Sequence, residues 1–180
     1  MTPTLFEGKG DMIPSDHFVY FYNEIFKELE KLGSDALDRY YACVAERQAY
    51  FTLESFKKNG LRGMYDYWER IRIEENCDLV NELNEKEGYY MARMRKCPSI
   101  TKALESDAGR CLSYCNHCPG WVLRVLTKAG YYGVYNIRGR ALPRCDLFIT
   151  QSRALAEKKK KEWIGEFGTD FIYDNLDKLP

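Results

Sequence analysis

Residues 77–96, CDLVNELNEKEGYYMARMRK, mark the point where the residue pattern of this chain changes. Two stretches rich in apolar and aromatic residues, 77–83 and 89–96, lie on either side of a polar run that ends in glycine. This arrangement predicts two strands joined by a turn. The leucines and valine of the first stretch also fit one helical face, so a helix over residues 77–84 is the alternative.

The chain before this point has the pattern of helices. Apolar residues recur at helical spacing through residues 15–75 and predict three successive helices. Gly33 and Gly60 fall at the ends of the first two, where glycine commonly terminates a helix. We interpret the aromatic residues in these stripes as core and not as a cofactor site.

The chain after this point mixes short helices and short strands. Pro98 begins a short helix, because proline is tolerated in a first turn. A longer helix is predicted over residues 111–128. The remaining predicted elements are strands over residues 131–138 and 145–150 and a last helix over residues 153–167.

Length and charge limit the classes of protein to which the chain can belong. Its 180 residues suit one α+β domain, with a helical part over residues 1–75 and a mixed part over residues 76–180. We expect the N-terminal helices to pack with a small antiparallel sheet of about four strands, flanked by a cysteine-bearing helix and a C-terminal helix. The 27 basic and 27 acidic residues balance, which argues against a nucleic-acid partner.

The hydropathy pattern bears on location. No stretch approaches the roughly 18 apolar residues of a membrane span, and residues 1–11 lack the pattern of a signal peptide. We therefore expect a cytoplasmic protein with no membrane partner, in a compartment that keeps thiols reduced. The oligomeric state stays open.

Cysteine is the unusual residue in the composition, with seven copies against two histidines. An odd number cannot form a complete set of disulfides, and clustered thiols in a reducing compartment favour metal binding or catalysis. Cys43 and Cys77 lie in patterned segments and are interpreted as small core residues. The other five fall within one stretch: Cys97, Cys111, Cys115, Cys118 and Cys145.

A metal centre is one chemistry that this group allows. The C-x3-C-x2-C spacing of Cys111, Cys115 and Cys118 places three thiols on one face of the predicted helix. With Cys97 or Cys145 they would supply the four thiolates that zinc or an iron–sulfur cluster needs. The spacing also resembles the radical-SAM triad, but the roughly sixty residues that follow are too few for a large α/β barrel.

Nucleophilic attack by a thiolate is the other chemistry. A free thiol with a pKa of about 8.5 is mostly protonated at neutral pH, so it needs a nearby base or a helix N-terminus. Cys111 is predicted at a helix start, where the helix dipole favours the thiolate. His117 is a candidate base, and a structural role for it stays open.

Three segments carry a family resemblance that covers about residues 60–150. They are Arg95-Lys96-Cys97-Pro98, Tyr114-Cys115-Asn116-His117-Cys118 and Pro143-Arg144-Cys145-Asp146-Leu147-Phe148. They resemble the L-2-amino-thiazoline-4-carboxylic acid hydrolase (ATC hydrolase) family, which similarly has a basic-Cys step, a later cysteine at a helix start and a P-x-C-D strand. The resemblance implies a helical N-terminal region, a mixed α/β portion and hydrolytic opening of a cyclic thiazoline with a C=N bond.

The resemblance also implies which residues act. Cys97, Cys115 and Cys145 would be the functional positions, with Asp146 in support. The chain departs from the family at Cys118, where the family tends to have an acidic residue, and at the additional Cys111. It also has NIRGR over residues 136–140 where the family has an Arg-Thr-rich strand, so we regard the chain as a divergent member whose pocket could have become a metal or redox site.

We therefore expect an ATC-hydrolase-like enzyme that acts on a small anionic heterocyclic or amidine-like substrate without a cofactor. Cys115 is the first candidate nucleophile, with Cys97 or Cys145 beside it and His117 or Asp146 moving protons.

The substrate's negative charge suggests a further group of candidates. Arg138, Arg140 and Arg144 lead into the last predicted strand and could bind a substrate carboxylate, the alternative being ordinary surface residues. Two other functions stay open. One is a zinc or iron–sulfur protein that uses the clustered cysteines, and the other is a non-catalytic small-molecule sensor whose cysteines line the pocket.

Overall fold

The structure is a computed structural model that describes residues 15–138 and 142–179. Its helices are α1 (Ser15–Lys31), α2 (Ser34–Glu74), α3 (Pro98–Glu105), α4 (His117–Ala129) and α5 (Arg153–Phe167). Its strands are β1 (Asp78–Asn84), β2 (Tyr89–Lys96), β3 (Tyr132–Asn136), β4 (Cys145–Thr150) and β5 (Ile172–Asp174). Short 3₁₀ turns lie at Tyr114–Asn116 and Leu176–Lys178. The predicted α+β class is confirmed.

The strands form one antiparallel sheet in the order β1-β2-β4-β3-β5. The helix alternative for the stretch that opens the sheet is wrong, because β1 and β2 pair over their whole length. The sequence pattern missed β5, which has only three residues, too few to show an alternation. β4 lies in the centre of the sheet, where Cys145 pairs with Met94 and Leu147 pairs with Tyr135.

The two faces of the sheet are covered by different helices. Side chains alternate along a strand, so Leu147 and Ile149 of β4 pack into the core shared with α2 and α4. Phe148 packs on the opposite face with Trp163 of α5. A third cluster joins α1 and α3, with Phe26 at its centre.

Helix α2 is sharply bent at Gly60, whose φ of 58° and ψ of −139° are not helical. The bend brings the two arms of the helix together. A hydrogen bond between them shows this, since Gln48 Nε2 donates to Tyr67 Oη at 3.2 Å. In a straight helix these residues, 19 positions apart, would be separated by about 28 Å. The predicted end of one helix and start of another at Gly60 is therefore confirmed.

The helix predicted over residues 111–128 is wrong at its start. Cys111 lies before a 3₁₀ turn, and α4 begins only at His117. The physical reason is Pro119, which lacks an N–H group and whose ring would clash with the carbonyl four residues earlier in a continuous helix. A proline in the first turn of α4 avoids both costs.

None of the helices within the described parts of the chain has the length and apolar character that would let it cross a membrane.

We predict that Gly60→Ala destabilises the fold by about 1–3 kcal/mol, because a side chain is strained at this positive φ. A Cβ at residue 60 would also lie 2.9 Å from Tyr131 Oη. Urea denaturation followed by circular dichroism measures the change.

Gly165→Ala in α5 is the matched control. A Cβ there meets no atom within 4 Å, and alanine favours a helix over glycine by about 0.5–1 kcal/mol, so this variant should be more stable than wild type. Equal effects of the two substitutions would contradict the assignment of strain to Gly60.

Candidate functional site

A cavity of about 470 Å³ lies between helices α1 to α4 and the face of the sheet that carries Leu147. Much of its wall is aromatic or aliphatic. The aromatic side chains are Phe18, Tyr22, Tyr67, Trp68, Trp121 and Tyr135. A concave, mainly apolar space with a few polar groups is typical of a small-molecule site.

Four of the seven cysteines line this cavity, and all are free thiols: Cys77, Cys97, Cys118 and Cys145. They come from four separate places, namely the segment before β1, the start of α3, the first turn of α4 and the start of β4. The structure thus brings together three thiols of the predicted group. Cys77, predicted to be core filler, lines the cavity with them.

Cys97 occupies the N-cap position of α3. Its backbone is fixed, since its N–H donates to the carbonyl of Pro143 at 2.7 Å and its carbonyl accepts from Thr101 Oγ1 at 2.8 Å. The backbone amides of Ser99 and Ile100 favour the thiolate, but burial is the larger effect and raises the pKa of Cys97 above its ordinary value of 9.0.

Cys118 and Cys145 are more strongly affected by burial, which raises the pKa of each well above 9.0. Negative charge on the neighbouring thiols raises both values further, and a hydrogen bond from Tyr135 partly offsets the effect at Cys118. These thiols are therefore protonated at neutral pH.

Cys111 and Cys115 do not share a helical face with Cys118, as the sequence predicted. Cys111 is buried beside α1, where its N–H donates to Asn23 Oδ1 at 2.8 Å. Cys115 lies in the 3₁₀ turn and packs against the cluster of α1 and α3. The face is not formed, because residues 111–116 are not α-helical.

The thiols do not fit a metal centre. Over residues 15–138 and 142–179, no group of three or more His, Cys, Asp or Glu side chains is arranged to hold a metal ion. The predicted site of Cys97, Cys111, Cys115 and Cys118 is therefore not supported by the geometry.

His117 also lines the cavity, and it is buried. Its Nδ1 bonds to the carbonyl of Tyr114, which can only accept, so Nδ1 carries the proton and neutral Nε2 is an acceptor. The ring lies between Trp121, with ring centres 4.6 Å apart, and Tyr114 at 4.9 Å. Burial lowers the pKa of His117 to about 4, although the bond to Tyr114 acts in the opposite direction.

Asp146 does not line the cavity with the thiols, although it follows Cys145 directly and its charge contributes to the raised pKa of that thiol. Successive residues of a strand point to opposite faces, so Asp146 lies on the side of α5. It is 3% exposed and accepts a hydrogen bond from Arg138 Nε at 2.6 Å. Arg138 in turn stacks on the ring of Phe167 at 4.8 Å.

The predicted arginine group does not line the described cavity. Arg138 forms an ion pair with Asp146. Arg144 is exposed to solvent and does not line the cavity. Arg140 lies outside the described residues. Among the described residues, the side-chain cation on the cavity wall is Lys102 of α3, which forms an ion pair with the buried Asp16 of α1.

Sequence reasoning missed Ser99 and Lys102 as wall residues. Their signal was their place in the first turns of a helix that begins directly after Cys97, since the residues there share its surroundings. No local pattern indicates that Asp16, 86 residues earlier, pairs with Lys102.

Comparisons of the chain with protein-family models, with curated proteins and with solved structures give no match. The resemblance to ATC hydrolases therefore stays a prediction.

We predict that Asp146→Asn lowers stability by about 1–3 kcal/mol, because it leaves Arg138 beside a buried neutral group. Because Asp146 lies on the far face of the sheet, the rate of Cys97 alkylation should stay within twofold of wild type. Denaturant unfolding and mass spectrometry measure the two effects.

Asp38→Asn is the matched control, because the exposed pair of Asp38 with Arg124 should contribute less than about 1 kcal/mol. A tenfold fall in Cys97 alkylation in the Asp146 variant would show that this carboxylate does act on the thiols.

We predict that the free energy of unfolding decreases as the pH falls from 6.5 to 4, because His117 is protonated more readily in the unfolded chain. Its pKa is about 4 when folded and 6.5 in its ordinary state, so the unfolded chain takes up the proton first. The loss is on the order of 3 kcal/mol, from 1.36 kcal/mol for each pH unit. The measurement is the urea midpoint as a function of pH.

His117→Phe should be much less sensitive to pH over this interval, while His17→Gln on the exposed side of α1 should behave as wild type. An unchanged pH dependence in His117→Phe would contradict the assignment.

Proposed function

We propose that the protein is an enzyme that uses the Cys97 thiol as a nucleophile on a small molecule bound in the cavity. The reaction is hydrolysis at a C=N or C–N bond, in line with the resemblance to ATC hydrolases. One observation carries the proposal, namely that Cys97 lies on the cavity wall and at the start of a helix. The nucleophile thus moves from Cys115, the first candidate in the sequence, to Cys97.

The surroundings of Cys97 favour it over the other thiols of the wall. Burial is the largest effect at all three thiols. At Cys97 the N–H groups of Ser99 and Ile100 offset part of it, whereas negative charge on neighbouring thiols adds to it at Cys118 and Cys145. Its pKa is still raised, so only a minor thiolate fraction exists at neutral pH.

His117 supplies a proton acceptor on the same wall. Nδ1–H donates to the carbonyl of Tyr114, so Nε2 is the nitrogen that can accept a proton. Because the pKa of His117 is about 4, Nε2 is unprotonated at neutral pH. Because it is a weak base, it holds the thiol proton only during the attack and passes it to the substrate nitrogen.

The chemistry balances with water as the second reactant. The sulfur of Cys97 forms a bond to the C=N carbon, and the π electron pair moves to nitrogen, which takes the proton lost by the thiol. Water then replaces sulfur on that carbon and restores the thiol proton. The C–N bond then breaks with its electron pair on nitrogen, which takes the proton of the new hydroxyl as the carbonyl forms.

The cavity wall indicates the substrate class. Its aromatic part suits the apolar face of a heterocycle, and Lys102 is the cation that a substrate carboxylate would meet. A carboxylate bound there would have to compete with Asp16 for Lys102. The wall thus supports a small heterocycle with one acidic group, within the anionic substrate class expected from the sequence.

A non-catalytic small-molecule sensor is the second candidate. The observation in its favour is that Cys97, Cys118 and Cys145 all have raised pKa values, so that none of these thiols is mainly ionised at neutral pH. Such a protein would bind a ligand in the same cavity without turnover.

We predict that Cys97→Ser abolishes hydrolysis of 2-amino-thiazoline-4-carboxylate, with a loss of at least about 100-fold, because serine is not ionised by these surroundings. The wild-type rate should rise as the pH increases from 7 to 9, because the raised pKa means that the thiolate fraction is still growing there. Chromatographic assay of the ring-opened product measures both.

Cys43→Ser, at an exposed thiol of α2, is the control and should keep the wild-type rate. Binding of the thiazoline by calorimetry without product, retained in Cys97→Ser, would favour the sensor. If the protein neither binds nor hydrolyses the thiazoline, the proposed substrate class is contradicted.

A further inference from the structure

Ser99 is the second residue of α3, and its side chain lies on the cavity wall two positions from Cys97. Its Oγ is 2.6 Å from the hydroxyl oxygen of Tyr114. Either hydroxyl could donate across so short a contact, and the surroundings of the two groups decide which one does.

Tyr114 is the donor, because its hydroxyl has no second hydrogen-bond acceptor among the described residues. The side chain is 1% exposed, and Ser99 is the hydrogen-bond partner of its hydroxyl within the described part of the chain. If Ser99 donated, the buried Tyr114 O–H would lose its acceptor at the full cost of desolvation. Burial also raises the pKa of Tyr114, so the hydroxyl keeps its proton.

The proton of Ser99 is then left without an acceptor inside α3. A serine deeper in a helix can donate to the carbonyl four residues earlier, but residue 95 lies in β2. The nearby carbonyl of Cys97 already accepts from Thr101 N–H and Thr101 Oγ1. Among the described residues no other acceptor is recorded for this proton, so an acceptor bound in the cavity can take it.

We propose that Ser99 donates a hydrogen bond to the substrate atom that becomes negative when Cys97 attacks, and that Tyr114 positions Ser99 for this role. The inference rests on the proposed nucleophilic role of Cys97. It also names a feature of the substrate, an acceptor such as an imine nitrogen or a carbonyl oxygen beside the carbon that is attacked.

Tyr114 contacts two of the residues that the proposal assigns to the reaction. Its hydroxyl holds Ser99, and its carbonyl holds Nδ1 of His117. Replacement of Tyr114 by Phe removes only the first of these contacts, since the carbonyl belongs to the backbone. The two roles can therefore be separated.

Acrylamide is the probe, because it tests the donor without knowledge of the natural substrate. The sulfur of Cys97 forms a bond to its terminal carbon, and the C=C electron pair moves to give an enolate with negative charge on oxygen. The proton that left the thiol then goes to the α-carbon. Allyl bromide is the comparison electrophile, since sulfur displaces bromide without charge developing on an oxygen.

Ser99→Ala and Tyr114→Phe should slow the addition of acrylamide to Cys97 by about 100- to 1,000-fold, the loss expected for one hydrogen-bond donor to a developing oxyanion. Their rates with allyl bromide should stay within twofold of wild type. Peptide mass spectrometry follows Cys97, and the exposed Cys43 of the same chain corrects for reagent concentration.

Two control variants test the chemistry of the hydroxyls. Ser99→Thr keeps a hydroxyl at the same position and should restore most of the acrylamide rate. Tyr41→Phe removes a buried tyrosine hydroxyl that has no hydrogen-bond partner within the described residues, so it should leave both rates unchanged.

Equal slowing with both electrophiles would show that the substitutions act by disturbing α3, and would overturn the donor role. Unchanged acrylamide rates in Ser99→Ala would overturn it as well, while the nucleophilic role of Cys97 would stand. A wild-type Cys97 that reacts with neither reagent, while Cys43 reacts with both, would overturn the proposed function itself.

Discussion

The central position of β4 in the sheet is the constraint on which the site depends. Because the strand has neighbours on both sides, its register is fixed and successive residues must point to opposite faces. Cys145 therefore faces the helices that enclose the cavity, and Asp146 faces α5. Two residues adjacent in sequence thus serve different parts of the molecule, a thiol-lined cavity and a buried ion pair with Arg138.

The bend in α2 supplies the other half of the enclosure. It folds one arm of the helix against the other, so that Gln48 and Tyr67 both reach the cavity wall. Burial within this enclosure keeps the thiols protonated and His117 neutral. In such surroundings the pKa of a thiol depends on nearby dipoles, and at the start of α3 the backbone N–H groups of Ser99 and Ile100 partly offset the effect of burial on Cys97.

Several features could be predicted from the sequence because short-range rules determine them. The period of two in β4, the strand pair before Cys97 and the helix break at Gly60 all follow from local pattern or backbone preference. The sequence predicted that Cys97, Cys118 and Cys145 lie together with Cys111 and Cys115, and the structure brings the first three to the cavity wall. The predicted helix start at Cys111 is wrong because the helical spacing of the cysteines does not determine where α4 begins. Pro119 determines it.

The amino-acid sequence by itself determined the α+β class, most element boundaries and the identity of the thiol-bearing segments, because these depend on near neighbours in the chain. Only the tertiary structure decided which thiols line the cavity and which described cation lies on its wall. Cys97 and His117 come to one wall, and Lys102 meets Asp16, through packing between elements far apart in sequence. Such contacts arise from the burial of whole faces of helices and sheet, and no local pattern encodes them.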